Sequence, residues 1–221
     1  MRATTPKQYL PLLGRPVVLH ALARLAAHPR VSGVLVGISV GDDYWPTLKP
    51  ELAQLPKLLG TYAGGIERVD TVLNGLKALE AHAAVEDWVL VHDAARPCLR
   101  SADLDKLIKQ VLGYPDGGLL AVPISDTVKR TDATSAVTET VSRSNLWRAL
   151  TPQLFPLQKL RSALELAVAD GVAVTDESMA VEYQGGRPRV VAGHADNIKI
   201  TLAEDLELAE LYLRQQEKEH A

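Results

Sequence analysis

The 221 residues, 47% hydrophobic and 23% charged, supply one substantial core and too little chain for two large domains, so residues 1–221 are expected to form a single domain. A formal net charge of −3 gives no electrostatic reason to expect a nucleic-acid partner, while leaving room for a locally basic phosphate pocket. The single cysteine, Cys98, excludes an internal disulfide and a cysteine-rich zinc site; no apolar run approaches the roughly 20 residues that span a bilayer, and the Met1-to-Pro6 start lacks a signal peptide's apolar core, so a cytoplasmic protein is expected.

Runs rich in β-branched residues alternate with segments of helical period, the pattern of an α/β fold with a Rossmann-like, mostly parallel sheet flanked by helices. Pro16 stands where a first helical residue belongs, and Val18, Leu22 and Leu25 mark one helical face up to His28-Pro29. Residues 34–40 read as a buried strand, Val69, Val72, Leu73, Leu76 and Leu79 as a helix, and residues 88–92 as a second buried strand. Ser101 is placed to cap a helix whose face runs Leu104, Leu107, Ile108, Val111 and Leu112, with Gly113 to stop it, and residues 118–124 return as a strand.

Residues 126–143 break the rhythm. Thr127, Val128, Val137, Thr140 and Val141 favour extended backbone but offer little apolar surface, which reads as a projecting hairpin, an arm at about 126–146. An isolated hairpin is marginal in water, so the arm calls for a second surface, most simply an identical partner; a mobile loop is the alternative. Leu157, Leu160, Leu164 and Val168 then form a helical stripe ended by Gly171. Thr201 and Glu204 have capping-box spacing before a last helix, and a polar tail over 215–221 is expected to fray.

His92, Asp93 and Arg96 lie just past the strand at 88–92, where open α/β sheets bind ligands. Asp93 could face a metal or a substrate hydroxyl, and Arg96 a phosphate; an Asp–Arg pair locking a turn fits the same letters. Gly64 and Gly65 before a helix suit a ligand approaching bare backbone, or simply a turn. Lys199, on what reads as a short apolar strand, is oddly placed for a solvated lysine, whereas Lys7 suits either phosphate or solvent. The segment Thr175-Asp176-Glu177-Ser178 reads as a capped helix start with early acids, a structural role. His92 suits a catalyst or a satisfied strand-end residue, and the other histidines, His20, His28, His82, His194 and His220, lack ligand spacing, so no zinc is expected. The usual hydrolase, ATPase and dinucleotide signatures do not occur.

In order along the chain, Pro6-Lys7-Gln8-Tyr9, Gly64-Gly65-x-Glu67-Arg68, Val91-His92-Asp93-Ala94-Ala95-Arg96-Pro97, Leu150-Thr151-Pro152-Gln153, Thr175-Asp176-Glu177 and Asp196-Asn197-Ile198-Lys199 resemble the motif set of the 2-C-methyl-D-erythritol 4-phosphate cytidylyltransferases of non-mevalonate isoprenoid synthesis. The resemblance implies that the substrate's phosphate oxygen attacks the α-phosphorus of CTP with Mg²⁺ assisting, and that pyrophosphate leaves. It implies a cationic clamp from Lys7 and Lys199 and cytosine recognition around Gly64, Gly65 and Ile66 with Thr71. Asp93, Arg96 and Thr151 would hold the polyol phosphate, Asp93 also facing the metal, and Thr127 and Arg143 would enter a partner's site from the arm of a homodimer. The family pattern opens with a buried strand and a Pro-Ala-Ala-Gly-x-Gly-x-Arg loop, and this chain starts just after it; truncation, low activity, exposed apolar surface and unpaired backbone are therefore expected. A ribitol-phosphate cytidylyltransferase and an inactive dimeric polyol-phosphate-binding protein are the competing expectations.

Overall fold

The computed structural model describes residues 5–219; the chain start at 1–4 and the last two residues, with His220, lie outside the described residues. A minimal hairpin, β1 (Pro11–Leu12) and β2 (Arg15–Pro16), leads into α1 (Val17–Ala27). Pro16 is therefore not the first helical residue: its ψ of 141° keeps it extended, and the helix starts one residue later. Then follow β3 (Val34–Ile38), a short α2 (Lys49–Leu52), β4 (Leu58–Ala63), α3 (Arg68–Leu79), β5 (Trp88–Val91) and α4 (Ser101–Val111). Ser101 is the first residue of α4 rather than its cap, because Arg100 takes the extended N-cap conformation. The second half runs β6 (Gly118–Pro123), β7 (Val128–Thr131), β8 (Val137–Val141), β9 (Trp147–Pro156), α5 (Leu157–Ala169), α6 (Glu177–Tyr183), β10 (Arg189–Ala192) and α7 (Glu204–Glu219).

Among the described residues, four strands form the main sheet in the order β10, β6, β9, β5. Strands β10 and β6 pair in parallel, while β9 runs antiparallel to both β6 and β5, so three strands share a direction and the long β9 opposes them. The reversal follows from connectivity: chain that leaves β6 through the arm and returns directly to the same sheet pairs as a hairpin does, antiparallel. The ladder shifts where Leu119 pairs with Gln153 and Ala121 with Ala149, so residues 150–152 bulge against Leu120 alone. Pro152, which cannot donate to a ladder, sits in that bulge. The strand as a whole escaped the sequence reading, which singled out Leu150 to Gln153 only as a motif.

Helices cover both faces. On one, Val69, Leu76, Phe155, Leu160, Leu164 and Val181 join α3, α5 and α6 to β5 and β9; on the other, Leu104, Leu107, Val111, Leu120, Val122 and Val191 seat α4 on β6 and β10. Phe155 and Leu160 are fully buried, each stabilising the fold by roughly 1.5–3 kcal/mol through apolar area removed from water. Strands β3 and β4 pair in parallel as a separate block packed on α1. Strands β3 and β5 do not pair with each other, and an apolar cavity of about 620 Å³ lined by Val34, Val36, Leu90 and Val91 lies between them.

The arm is an antiparallel hairpin of β7 and β8 with a register shift between Arg130 and Thr131 that leaves Thr138 bulged, exposed over nearly its whole length, with Val137 open to solvent. Two expectations at the C-terminal end change. The α7 start is capped by Asp205, which accepts from Thr201 N, Leu202 N and Thr201 Oγ1, and not by Glu204, because the helix begins at 204 and places 205 over the preceding turn. The tail as far as Glu219 does not fray but belongs to α7: buried Gln216 donates to Cys98 O and Asp196 Oδ2, both at 3.0 Å, and accepts from Arg24.

Candidate active site

The loop after β5 carries Asp93 and Arg96, and backbone bonds hold its shape. Arg96 N donates to Asp93 O and Ile200 N to Ala95 O, so residues 93–97 form a turn with segment 196–200 laid against it. That segment is not the short strand expected around Lys199; it is irregular backbone fixed by Asn197, which is fully buried and donates through Nδ2 to Thr151 O at 2.8 Å while its own carbonyl accepts from Arg96 Nη1 at 2.8 Å. Lys199 is thereby aimed at Asp93, with Nζ 3.0 Å from Oδ2.

Asp93 is the centre of the cluster. Arg96 Nε lies 3.4 Å from the same Oδ2, and Arg68 Nη2 lies 3.6 Å from Oδ1. Burial alone would raise the Asp93 carboxyl, but Lys199, Arg68 and Arg96 together outweigh it and hold the group below the usual carboxylate range. Of the two readings open for Arg96, the structure displays the turn lock; its Nη2 makes no hydrogen bond among the described residues.

The bulge in β9 turns Thr151 toward this loop. Thr151 Oγ1 accepts from Asp93 N and lies 3.0 Å from His92 Nδ1, while His92 Nε2 lies 3.1 Å from Arg96 O. Because a carbonyl can only accept, Nε2 carries the proton and Nδ1 accepts from the Thr151 hydroxyl. Burial pushes the imidazole down to about 4, so His92 is neutral near pH 7. It is the satisfied strand-end residue and braces the turn.

The Gly64-Gly65 turn follows β4. Gly65 N donates to Thr71 Oγ1 at 2.9 Å, and a Cβ at Gly65 would fall 2.1 Å from Asp70 Cβ, so the close approach requires glycine. Thr71 Oγ1 in turn donates to Glu67 O, and Glu67 and Asp70 form a reciprocal capping box at the α3 start. Ile66 is wholly exposed at the tip of the turn. Gly64, Gly65, Ile66 and Thr71 thus form one local unit, joined to Asp93 through Arg68.

Lys7 and Lys199 meet on a second cavity of about 230 Å³, lined also by Tyr9, Asp42, Asp93 and Ala94. Thr127 and Arg143 are not brought to this cluster within the chain. Both are exposed on the arm, where Arg143 Nη1 donates to Ser125 O. Two residues escaped functional assignment. Glu177 is 1% exposed and takes both terminal nitrogens of Arg68, at 2.7 and 3.0 Å; their motifs were visible, but the pairing across 109 positions was not.

No group of three or more His, Cys, Asp or Glu side chains poised for a metal occurs among the described residues. Asp93 is one ionised carboxylate, and this fits Mg²⁺ only in the mode where one or two carboxylates assist while substrate phosphates and water complete the shell.

A family model described as 2-C-methyl-D-erythritol 4-phosphate cytidylyltransferase matches residues 1–215. Proteins of that name from Shewanella amazonensis and Hahella chejuensis are each 48% identical, over 99% and 97% of this chain and 90% and 88% of theirs. Among solved structures, a 4-diphosphocytidyl-2C-methyl-D-erythritol synthase superposes with a TM-score of 0.84 at 38% identity, covering 94% of this chain and 95% of its own. The Francisella tularensis cytidylyltransferase gives 0.80 at 33%, covering 94% and 93%.

Proposed function

The chain belongs to the 2-C-methyl-D-erythritol 4-phosphate cytidylyltransferase family, and from that premise we infer that it transfers CMP from CTP to 2-C-methyl-D-erythritol 4-phosphate in non-mevalonate isoprenoid synthesis. The phosphate oxygen of the polyol attacks the α-phosphorus of CTP, the bond from that phosphorus to the bridging oxygen breaks, and pyrophosphate leaves with the electron pair. The observation that supports this reading most is one ionised carboxylate, Asp93, met by Lys199, Arg68 and Arg96 at the end of β5, with Lys7 on the same cavity.

The nucleophile is already anionic, so the protein has no proton to remove; it has to align two anions and offset the charge that grows on the transferring group. Lys7 and Lys199 supply that charge. Asp93 keeps Lys199 aimed when the site is empty, and Arg96 and Thr151 hold the polyol phosphate against the loop. The turn at Gly64 and Gly65 offers backbone to the cytosine, with Thr71 fixing its shape. Mg²⁺, when bound by the triphosphate and Asp93, supplies further neutralising charge.

Homodimer formation through the arm is part of the proposal: an exposed two-stranded hairpin has little stability of its own, and a partner's surface would cover Val137 and deliver Thr127 and Arg143 to the partner's pocket. A cytoplasmic location accords with the single cysteine and with the lack of any described helix long and apolar enough to cross a membrane. ³¹P NMR of products formed from CTP and either methylerythritol phosphate or ribitol phosphate tests the substrate. A diphosphate diester from the first supports the assignment; turnover of ribitol phosphate alone refutes it, and binding of either polyol phosphate without turnover identifies a binding protein.

A further inference from the structure

The carboxylate of Glu177 is nearly inaccessible, and among the other described residues its side-chain hydrogen bonds all come from Arg68. Its position is itself firmly set. Glu177 opens α6, whose N-cap Asp176 accepts from Met179 N at 3.0 Å and from Gln153 Nε2 at 2.9 Å, while Gln153 Oε1 accepts from Ser178 N at 2.9 Å. Buried Gln153, two residues past Thr151 on β9, therefore fixes the start of α6 relative to the loop that holds Asp93. Arg68 opens α3 directly after the Gly64-Gly65 turn. Its guanidinium spans Glu177 on one side and Asp93 on the other, as Lys199 meets the second oxygen of Asp93.

We propose that Glu177 is a positioning residue for nucleotidyl transfer, acting through Arg68 to hold the carboxylate of Asp93, and with it the Lys199 ammonium, in register with the Gly64-Gly65 turn. The proposal deepens the cytidylyltransferase reading and rests on it. The chain Glu177, Arg68, Asp93, Lys199 ties four segments, the starts of α6 and α3, the loop after β5 and segment 196–200, through side chains alone at these four residues. A planar guanidinium gripped at both terminal nitrogens transmits that geometry more rigidly than a single-point contact. Loss of the grip leaves Arg68 free to turn from Asp93 toward incoming phosphate. The helix starts would remain, since Asp176 caps α6 and the Glu67–Asp70 box caps α3.

The test is a double-mutant cycle on the full chain with Glu177→Gln, Arg68→Gln and the pair, measuring kcat and KM for CTP and methylerythritol phosphate beside thermal melting. A positioning role lowers kcat on the order of 10- to 100-fold in each single variant, the cost of a small misplacement at the reacting centre, with KM for CTP little changed and the double variant no worse than the poorer single one. Unchanged kcat beside a lower melting temperature, or fully additive losses, overturns it. If the unmodified chain shows no transfer, the cytidylyltransferase reading fails separately, and a crystal structure of Glu177→Gln decides the geometry: Arg68 displaced from Asp93 upholds the positioning role, and Arg68 still beside Asp93 refutes it.

Discussion

Replacing Lys199 by Ala should separate catalysis from stability. The side chain is 38% exposed and its partner Asp93 15% exposed, so solvent screens the pair; an ion pair in that setting contributes about 0–1 kcal/mol. Asp93 keeps Arg68 and Arg96, and the backbone at Asn197 and Ile200 is held by bonds that do not involve the lysine side chain. The melting temperature should therefore fall by no more than about 2–4 °C, the shift that roughly 1 kcal/mol produces in a domain of this size. The rate behaves differently. Removing one fixed charge aimed at a developing anion costs on the order of 10²–10³ in kcat, about 2.7–4 kcal/mol of the barrier. Initial rates of pyrophosphate release beside a thermal scan measure both. A variant with full turnover and a collapsed melting temperature would assign Lys199 to structure and refute the clamp.

Leu160→Ala should destabilise by about 2–5 kcal/mol, read from denaturant unfolding, because the fully buried side chain leaves a cavity between α5 and the sheet. His92 titrates at about 4 when folded and near 6.5 when unfolded, so between those values the unfolded chain binds more protons and stability falls as pH drops; His92→Gln should flatten that slope in urea melts from pH 4 to 7. Gly65→Ala should both lower the melting temperature and weaken CTP binding by calorimetry, since its Cβ would meet Asp70 Cβ at 2.1 Å; unchanged CTP affinity would remove the turn from the nucleotide site. Mixing Arg143→Ala with Lys199→Ala protein should restore activity that neither has alone, because exchanged subunits rebuild one site from two chains; no recovery despite subunit exchange would place Arg143 outside the partner's pocket.

Much of the architecture was legible because apolar spacing is a local property. The faces of α1, α3, α4 and α5 follow directly from it, and the weakly apolar arm identified itself by contrast. Long-range pairing was not legible. The reversal of β9 depends on its return beside β6, and its signal is broken at Pro152, which the bulge accommodates. The Asp205 cap and the burial of Gln216 arise where two segments meet, so the polarity of either stretch pointed elsewhere. At the site, Asp93 and Lys199 stood out as polar residues beside apolar runs, and their 3.0 Å contact joins two motifs recognised separately. His92 and Arg96 admitted two readings each until the Thr151 hydroxyl and the Asn197 carbonyl supplied their partners. Glu177 looked like an ordinary early helix acid; only burial beside Arg68 distinguishes it from a solvated one.

A CMP-transfer site formed by Asp93 and the cations around it is tested by pyrophosphate release from CTP, Mg²⁺ and methylerythritol phosphate, measured for the unmodified chain and for Asp93→Asn. Release that requires both substrates and is lost in the Asn variant while the fold persists is the expected result; equal release by both proteins, or none by a folded unmodified chain, would contradict it.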